Sequence, residues 1–244
     1  MRTIRCFVDL PLAVGQVVTL PEDASAHLLR VLRLAPGDEV VLFNGDGHDY
    51  AARLVSLGKR GAEAQVHSRQ DAGRESPLRI TLAQGIARGE KMDLVLQKAT
   101  ELGVVAVAPV NTERTEVKLD AERAAKRLTH WHGILAAACE QSGRARLPRL
   151  AEPVSLAAYA AAETASVKLM LDPAGELCLP DLALAPGATV ALAVGPEGGL
   201  SDRDRATLHA AGFRGLRLGP RILRTETAGL AAIAALQALY GDLG

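Results

Sequence analysis

The stretch Thr189-Val190-Ala191-Leu192-Ala193-Val194-Gly195-Pro196-Glu197-Gly198-Gly199-Leu200-Ser201-Asp202-Arg203-Asp204 decides the fold. A continuous apolar run stops at Gly-Pro. Proline has no N–H to donate and its ring disfavours helix at the preceding residue, so the chain must leave a buried strand abruptly. The spacing Ser201-x-x-Asp204 is that of a capping box, which starts a helix at Ser201. A second segment repeats the form: Leu218-Gly219-Pro220-Arg221-Ile222-Leu223-Arg224-Thr225-Glu226-Thr227-Ala228 ends an apolar run at Gly-Pro and leads into a helix from Thr225. Units of this kind, repeated, build a mostly parallel sheet covered by helices.

Working outward, strands are expected over Leu78 to Gln84, Val104 to Val110, Val167 to Asp172, Thr189 to Val194 and Leu216 to Leu218. Helices are expected from Glu90 to Leu102, from Asp120 to Gln141, from Ser201 and from Thr225. Met92, Val95, Leu96, Ala99 and Leu102 fall on one face of the first helix, and Ala124, Leu128, Trp131, Leu135 and Cys139 on one face of the second. The last helix is apolar all round from Ala228 to Leu236, so core or a partner subunit must cover it on every side; a partner is the reading taken.

Nearer the N-terminus, Ile4 to Val8, Glu39 to Phe43 and Tyr50 to Val55 read as short strands, with turns at Pro36-Gly37-Asp38 and Gly45-Asp46-Gly47. Together they suggest a small barrel-like module. Within it, His27 to Leu34 places His27, Arg30 and Arg33 or Leu34 on neighbouring turns of a short helix, presenting two arginines together. Ser68 to Pro77 has no large apolar residue and reads as a linker, which divides the chain into 1–70 and 76–244.

Composition sets the outer limits. Of 244 residues, 48% are hydrophobic and 23% charged, which excludes collagen-like, coiled-coil and wholly disordered chains. Twenty-eight basic and 28 acidic residues give no net charge, so any nucleic acid must be held by local patches. Cys6, Cys139 and Cys178 are too few and too scattered for a disulfide framework or a metal site, which fits a reduced cytoplasm. Asp9 closes the first apolar run, so no signal peptide is expected. The longest apolar stretch, Ala228 to Tyr240, is interrupted by Gln237 and falls short of the ~20 residues of a membrane span. No metal is expected either: His130 and His132 lie on different helix faces, and His27, His48, His67 and His209 have no ligand pattern.

Ligands of such sheets bind beyond the carboxyl ends of strands, which is where both Gly-Pro segments fall. Paired glycines let backbone approach a ligand closely. Neither the dinucleotide fingerprint nor a Walker loop is present, so phosphate cofactors are disfavoured. From the residues alone, the first segment is either a ligand loop or a tight turn with no ligand. The second is either a site containing Arg221, Arg224 and Glu226, or a helix start with Thr225 as N-cap, Glu226 on the dipole and the arginines in water.

Taken together, the two segments resemble the closing motifs of the RsmE family of SPOUT methyltransferases. The resemblance extends to Arg88-Gly89-Glu90-Lys91-Met92-Asp93, Gln97-Lys98-Ala99-Thr100-Glu101-Leu102-Gly103-Val104, Glu140-Gln141-Ser142-Gly143-Arg144, Arg30-Val31-Leu32-Arg33-Leu34 and Pro36-Gly37-Asp38, and so covers nearly the whole chain. It implies an α/β fold: an N-terminal PUA-like RNA-binding β-barrel followed by a SPOUT domain whose C-terminal trefoil knot binds S-adenosylmethionine, working as a homodimer in the cytoplasm. The implied reaction is methylation of N3 of a uridine in 16S rRNA, on the 30S ribosomal subunit. The match gives the cofactor to Leu171 and Asp172, to Gly195, Pro196, Glu197, Gly198 and Gly199, and to Leu218, Gly219, Pro220, Ile222, Leu223 and Thr225.

Uracil N3 must lose a proton, and a nearby cation would favour the developing anion, a role expected of Arg224. Glu197 and Glu226 are expected to orient rather than to act as bases. For RNA, the candidates are Arg30, Arg33, Arg88, Lys91, Arg144 and Arg146. The window from Lys118 to Arg149 also holds Arg123, Lys126 and Arg127 against Asp120, Glu122 and Glu140, and its helical part reads as a solvated face. The alternatives are a non-catalytic RNA-binding or ribosome-assembly factor, and a SPOUT enzyme for another RNA base. The intact glycine loop and Arg224 argue for the enzyme.

Overall fold

In the computed structural model, which describes residues 4–58, 61–117 and 120–244, the chain divides into two units. One is the chain up to Glu75 plus Ala136–Leu147; the other is Ser76–Leu135 plus Pro148–Gly244.

In the first unit, β1 (Arg5–Phe7), β2 (Val17–Thr19), β3 (Glu39–Phe43), β4 (His48–Gly58) and β5 (Gly61–Asp71) form one mixed sheet in the order β1-β3-β4-β5-β2. Only β1 and β3 pair in parallel. Alternate residues turn inward, as the two-residue period of a strand requires: Val40 and Leu42 from β3, Tyr50, Ala52 and Leu54 from β4, Ala62, Ala64 and Val66 from β5. Strand β5 runs through Asp71, into the stretch read as a linker, because Ser68 to Asp71 pair with Ala51 to His48 of β4. Backbone pairing needs no apolar side chain, so the polar composition was misleading there. The arginine-bearing helix also differs from expectation. Helix α1 (Glu22–Ala26) continues as a single π-helical turn, His27–Val31. It closes where Leu34 N donates to the Leu28 carbonyl at 3.0 Å. Arg33 sits at that closure with φ +56°, so it lies past the helix end rather than one turn beyond Arg30.

The second unit is built on a parallel sheet: β6 (Arg79–Gly85), β7 (Ala106–Asn111), β8 (Arg149–Leu150), β9 (Val154–Ser155), β10 (Val167–Leu171), β11 (Thr189–Val194) and β12 (Arg214–Leu216). Their order is β12-β10-β11-β6-β7-β8, with β9 also on β7. Both faces of β7 and β11 are covered, which is why they read as unbroken apolar runs. Helix α2 (Glu90–Glu101) buries Met92, Val95, Leu96 and Ala99, and α3 (Ala121–Ser142) sends Trp131 and Leu135 into the same core. The Met, Val and Leu side chains among them each contribute about 1.5–3 kcal/mol of burial. Cys139, near the end of α3, instead packs with Phe43 and Ala145 in the first unit.

Helix α4 (Leu156–Ala162), nearly all alanine, was not anticipated; the Ser155 hydroxyl accepts from Ala158 N at its start. Helix α5 is Asp202–Ala210, and α6 is Thr225–Tyr240. Strand β12 pairs with β10 only up to Leu216, so Leu218 belongs to the following connection, not to the strand. Helix α6 buries Gly229, Ala232, Ile233, Leu236 and Gln237, whereas Leu230, Ala231, Ala234 and Ala235 are half-buried and Leu239 is 56% exposed. The chain therefore covers one side of α6, not all of it. Among the described residues no helix is long and apolar enough to cross a membrane, and no group of His, Cys, Asp and Glu could hold a metal ion.

Candidate functional site

Because β10, β11 and β12 are parallel, their carboxyl ends lie at one edge of the sheet, and the segments leaving them meet. They line a single cleft of about 370 Å³, within the range of small-molecule sites. Leu171 and Asp172 come from the end of β10, and Gly195 to Gly199 from the end of β11. Leu218, Gly219, Ile222, Leu223, Arg224 and Thr225 come from the connection between β12 and α6. Of the expected cofactor residues, Pro220 alone does not line the cleft; it stands exposed, since the turn points it away from the wall.

The glycine loop, 195–201, is held from every side. A Cβ on Gly195 would lie 2.6 Å from the Gly199 carbonyl carbon, and one on Gly85 would lie 2.6 Å from the Pro196 ring, so strand end and loop touch backbone to backbone. The Thr225 hydroxyl donates to the Gly195 carbonyl at 2.6 Å, and the fully buried Gln84 amide donates to Thr225 Oγ1 at 3.0 Å. Gly199 turns at φ +68°, where glycine avoids the Cβ penalty, and its N–H bonds the Pro196 carbonyl. Ser201 and Asp204 form the expected capping box at 3.0 Å in both directions.

Glu197 accepts from Arg88 N at 3.0 Å and lies 3.4 Å from Lys91 Nζ. Burial pushes its carboxyl up, but the N–H groups of Arg88 and Glu197 itself, with Lys91, outweigh this and hold it below the ordinary 4.5. Arg114 Nη1 donates to the Gly198 carbonyl at 2.8 Å. On the opposite wall Asp172 faces Arg205 at 3.7 Å.

The second loop is built differently. Among the described residues, none of 218–223 donates or accepts a hydrogen bond, and Arg221 and Arg224 pair with no carboxylate. Gly219 turns at φ +84° into open space, and Ile222 is 85% exposed.

The expected RNA contacts separate into groups. Arg30, Arg33 and Arg146 of the first unit are exposed; the Arg146 guanidinium occupies the space a Cβ on Gly47 would need. Arg144 is a correction: it is 4% exposed and paired with Glu75 at 2.6 Å, and its carbonyl accepts from Arg5. A guanidinium so enclosed has no surface left for a phosphate. Arg88 and Lys91 stand beside Glu197 at the glycine loop, with Arg88 also 2.8 Å from Glu116. Arg123 and Lys126 form surface pairs with Asp120 and Glu122, and Lys118 lies outside the described residues. His130 bonds Asp93 at 2.9 Å. Sequence reasoning missed Arg114, Arg205 and Gln84. Only Gln84 carried a local signal, a polar residue inside the run Thr81-Leu82-Ala83-Gln84.

Residues 74–237 match the family model of an RNA methyltransferase domain, and 20–66 that of an RNA methyltransferase PUA domain. The chain is 31% identical over 243 residues to the ribosomal RNA small subunit methyltransferase E of Buchnera aphidicola subsp. Schizaphis graminum, covering 99% of this chain and 98% of that one. It is 32% identical to the protein of that name from Bacillus subtilis, over 88% of this chain and 89% of the relative. Two solved structures cover all of both chains at 42% identity. One is from Legionella pneumophila with the bound cofactor SAM, at a TM-score of 0.96. The other is a ribosomal RNA small subunit methyltransferase E from Neisseria gonorrhoeae bound to S-adenosyl methionine, at 0.92.

Proposed function

We propose that this chain, which belongs to the ribosomal RNA small subunit methyltransferase E family, transfers a methyl group from S-adenosylmethionine to N3 of a uridine in 16S ribosomal RNA of the 30S subunit. The observation that carries the reading is the meeting of three strand exits in one cleft. Its walls suit the cofactor: Leu171, Leu218, Leu223 and the 85%-exposed Ile222 offer an apolar slot for a planar base, and backbone around Gly195 to Gly199 offers hydrogen bonds to its edge.

When bound, S-adenosylmethionine supplies an electrophilic methyl carbon on a charged sulfur. The chain's own part is positioning and electrostatics. Arg224, exposed at the cleft and with no carboxylate partner among the described residues, is the cation that favours N3 as its proton leaves. Glu197, held charged by Arg88 and Lys91, orients the glycine loop rather than taking a proton. Thr225 and Gln84 hold the Gly195 carbonyl beneath it.

On this reading the second unit is a SPOUT domain with a C-terminal trefoil knot, and the first is a PUA-like β-barrel for RNA. The functional division is between 1–70 and 76–244. The half-open side of α6 is the surface of a homodimer, since its Leu239 is 56% exposed, and the enzyme works in the cytoplasm. The test is to incubate the protein and labelled cofactor with 30S particles from a strain lacking this gene and to map the label. Label on a uridine N3 supports the reading; no transfer, or label on another base, overturns it.

A further inference from the structure

Four arginines line the cleft: Arg114, Arg205, Arg221 and Arg224. Arg205 is matched by Asp172 at 3.7 Å and Asp202 at 2.5 Å. The acids of the cleft, Asp172 and Glu197, are engaged by Arg205 and by Arg88 and Lys91. Among the described residues Arg114, Arg221 and Arg224 have no carboxylate partner, so a chain with no net charge concentrates positive charge at one opening. That surplus does not serve a sulfonium, which it would repel; it calls for an anion from outside.

Arg114 has the geometry to meet one. It stands in the connection after β7, which is tied to α5 where Glu113 N donates to Asp204 at 3.2 Å. Its stem lies across the glycine loop: a Cβ on Gly198 would be 3.1 Å from Arg114 Cβ and 3.4 Å from its Cδ. A side chain at 198 would crowd this stem, so the glycine leaves the arginine room to lie against the loop. The guanidinium spends Nη1 on a neutral carbonyl, which fixes its position and leaves its charge uncancelled, and the residue is exposed. A planar guanidinium anchored by one N–H, its other donors bonded to nothing among the described residues, suits a phosphate oxygen pair.

We propose that Arg114 is a phosphate-binding residue of the cleft, with Arg221 opposite it on the other loop, and that it receives the backbone phosphate of the RNA nucleotide whose base is presented to Arg224. This rests on the rRNA methyltransferase reading above and adds a substrate contact to it. Arg114 touches the substrate backbone, away from the reacting atoms, so its loss acts on KM rather than on the chemical step.

The test compares Arg114→Ala, Arg114→Lys and Arg114→Gln for methyl transfer to 30S particles, salt dependence of RNA affinity, and cofactor affinity by calorimetry. Arg114→Ala should raise KM for the RNA substrate about tenfold, as for loss of a charge-assisted hydrogen bond, with kcat retained. It should also flatten the slope of log affinity against log salt by about one. Cofactor affinity should fall by less than RNA affinity, because the lost tether at Gly198 is one of several that hold the glycine loop, and Arg114→Gln, which keeps that donor, should leave it unchanged. Arg114→Lys, which keeps the charge, should recover most of the RNA affinity; Arg114→Gln, which keeps only a donor for the Gly198 carbonyl, should not. An unaltered KM and salt slope in Arg114→Ala overturns the proposal. So does a weaker cofactor with unaltered RNA affinity, which would make Arg114 a prop for the glycine loop or a partner of the cofactor's carboxylate. If the wild-type protein transfers no methyl group to 30S particles, it is the underlying reading that fails.

Discussion

The two loops that make the cleft both turn at a Gly-Pro step, the first directly at the end of β11 and the second three residues past the end of β12, and they end in opposite states. The glycine loop, 195–201, is bonded at Gly195, Glu197, Gly198 and Ser201 to groups from four other segments, and closes on itself where Gly199 N donates to the Pro196 carbonyl. The arginine loop, 218–223, makes no such bond among the described residues and leaves Arg221 and Ile222 in solvent. One wall is built before any ligand arrives, whereas the other offers charge and apolar surface whose partners must come from outside. Preorganisation on one side lowers the entropy cost of binding, and the open side is where two different ligands can be admitted together.

The contrast can be broken most severely at Arg224. Arg224→Ala should lower kcat by about 10²–10³, the usual effect of removing one stabilising donor or cation, while calorimetry finds cofactor affinity unchanged. A variant with wild-type turnover would end its assignment. Next comes a matched pair of glycines. Gly195→Ala drives a methyl group against backbone 2.6 Å away, and should lower stability by about 1–3 kcal/mol and abolish cofactor binding. Gly219→Ala meets open space and carries only the left-handed backbone penalty of about 1–2 kcal/mol. Equal effects on the cofactor in calorimetry would mean the loops are equally rigid.

A smaller effect is expected at Ile222. Ile222→Ser should leave thermal stability within about 0.5 kcal/mol, since the side chain is 85% exposed. It should weaken the cofactor about tenfold if that side chain is covered on binding. The smallest concerns acid. Glu197 is held below 4.5 in the folded chain, so the stability it contributes is present above that pH and is lost as pH falls below it. Acid titrations followed by circular dichroism should find Glu197→Gln losing less stability below pH 4.5 than the wild type; an identical loss would remove Glu197 from the set of fixed contacts.

Legibility in the sequence followed the range of each interaction. The capping box of Ser201 and Asp204, the Gly-Pro exits and the helix from Thr225 depend on neighbours a few residues away, and all could be read directly. Arg114 could not, because its partner Gly198 is 84 positions along the chain and only parallel pairing brings them together. Arg144 was misread for the same reason: a loop arginine looks solvated until Glu75, 69 residues earlier, is placed against it. Gln84 was visible as a polar residue in an apolar strand, but its role under Gly195 depends on the route of the chain 111 residues later. The polar end of β5 was lost to the linker because a hydrogen-bonded ladder leaves no hydrophobic trace when both faces are wet.

The discontinuous make-up of the first unit has a bearing on biosynthesis. Phe43 is closed over by Cys139 and Ala145, and Phe7 N by the Glu140 carboxylate. A nascent polypeptide that has emerged only as far as Glu75 therefore lacks pieces of its own interior, and must wait, partly unsealed, until translation has delivered the end of α3. Proteolytic or genetic excision at that junction would yield not a miniature of the unit but a fragment with an aromatic wound, prone to chaperone capture.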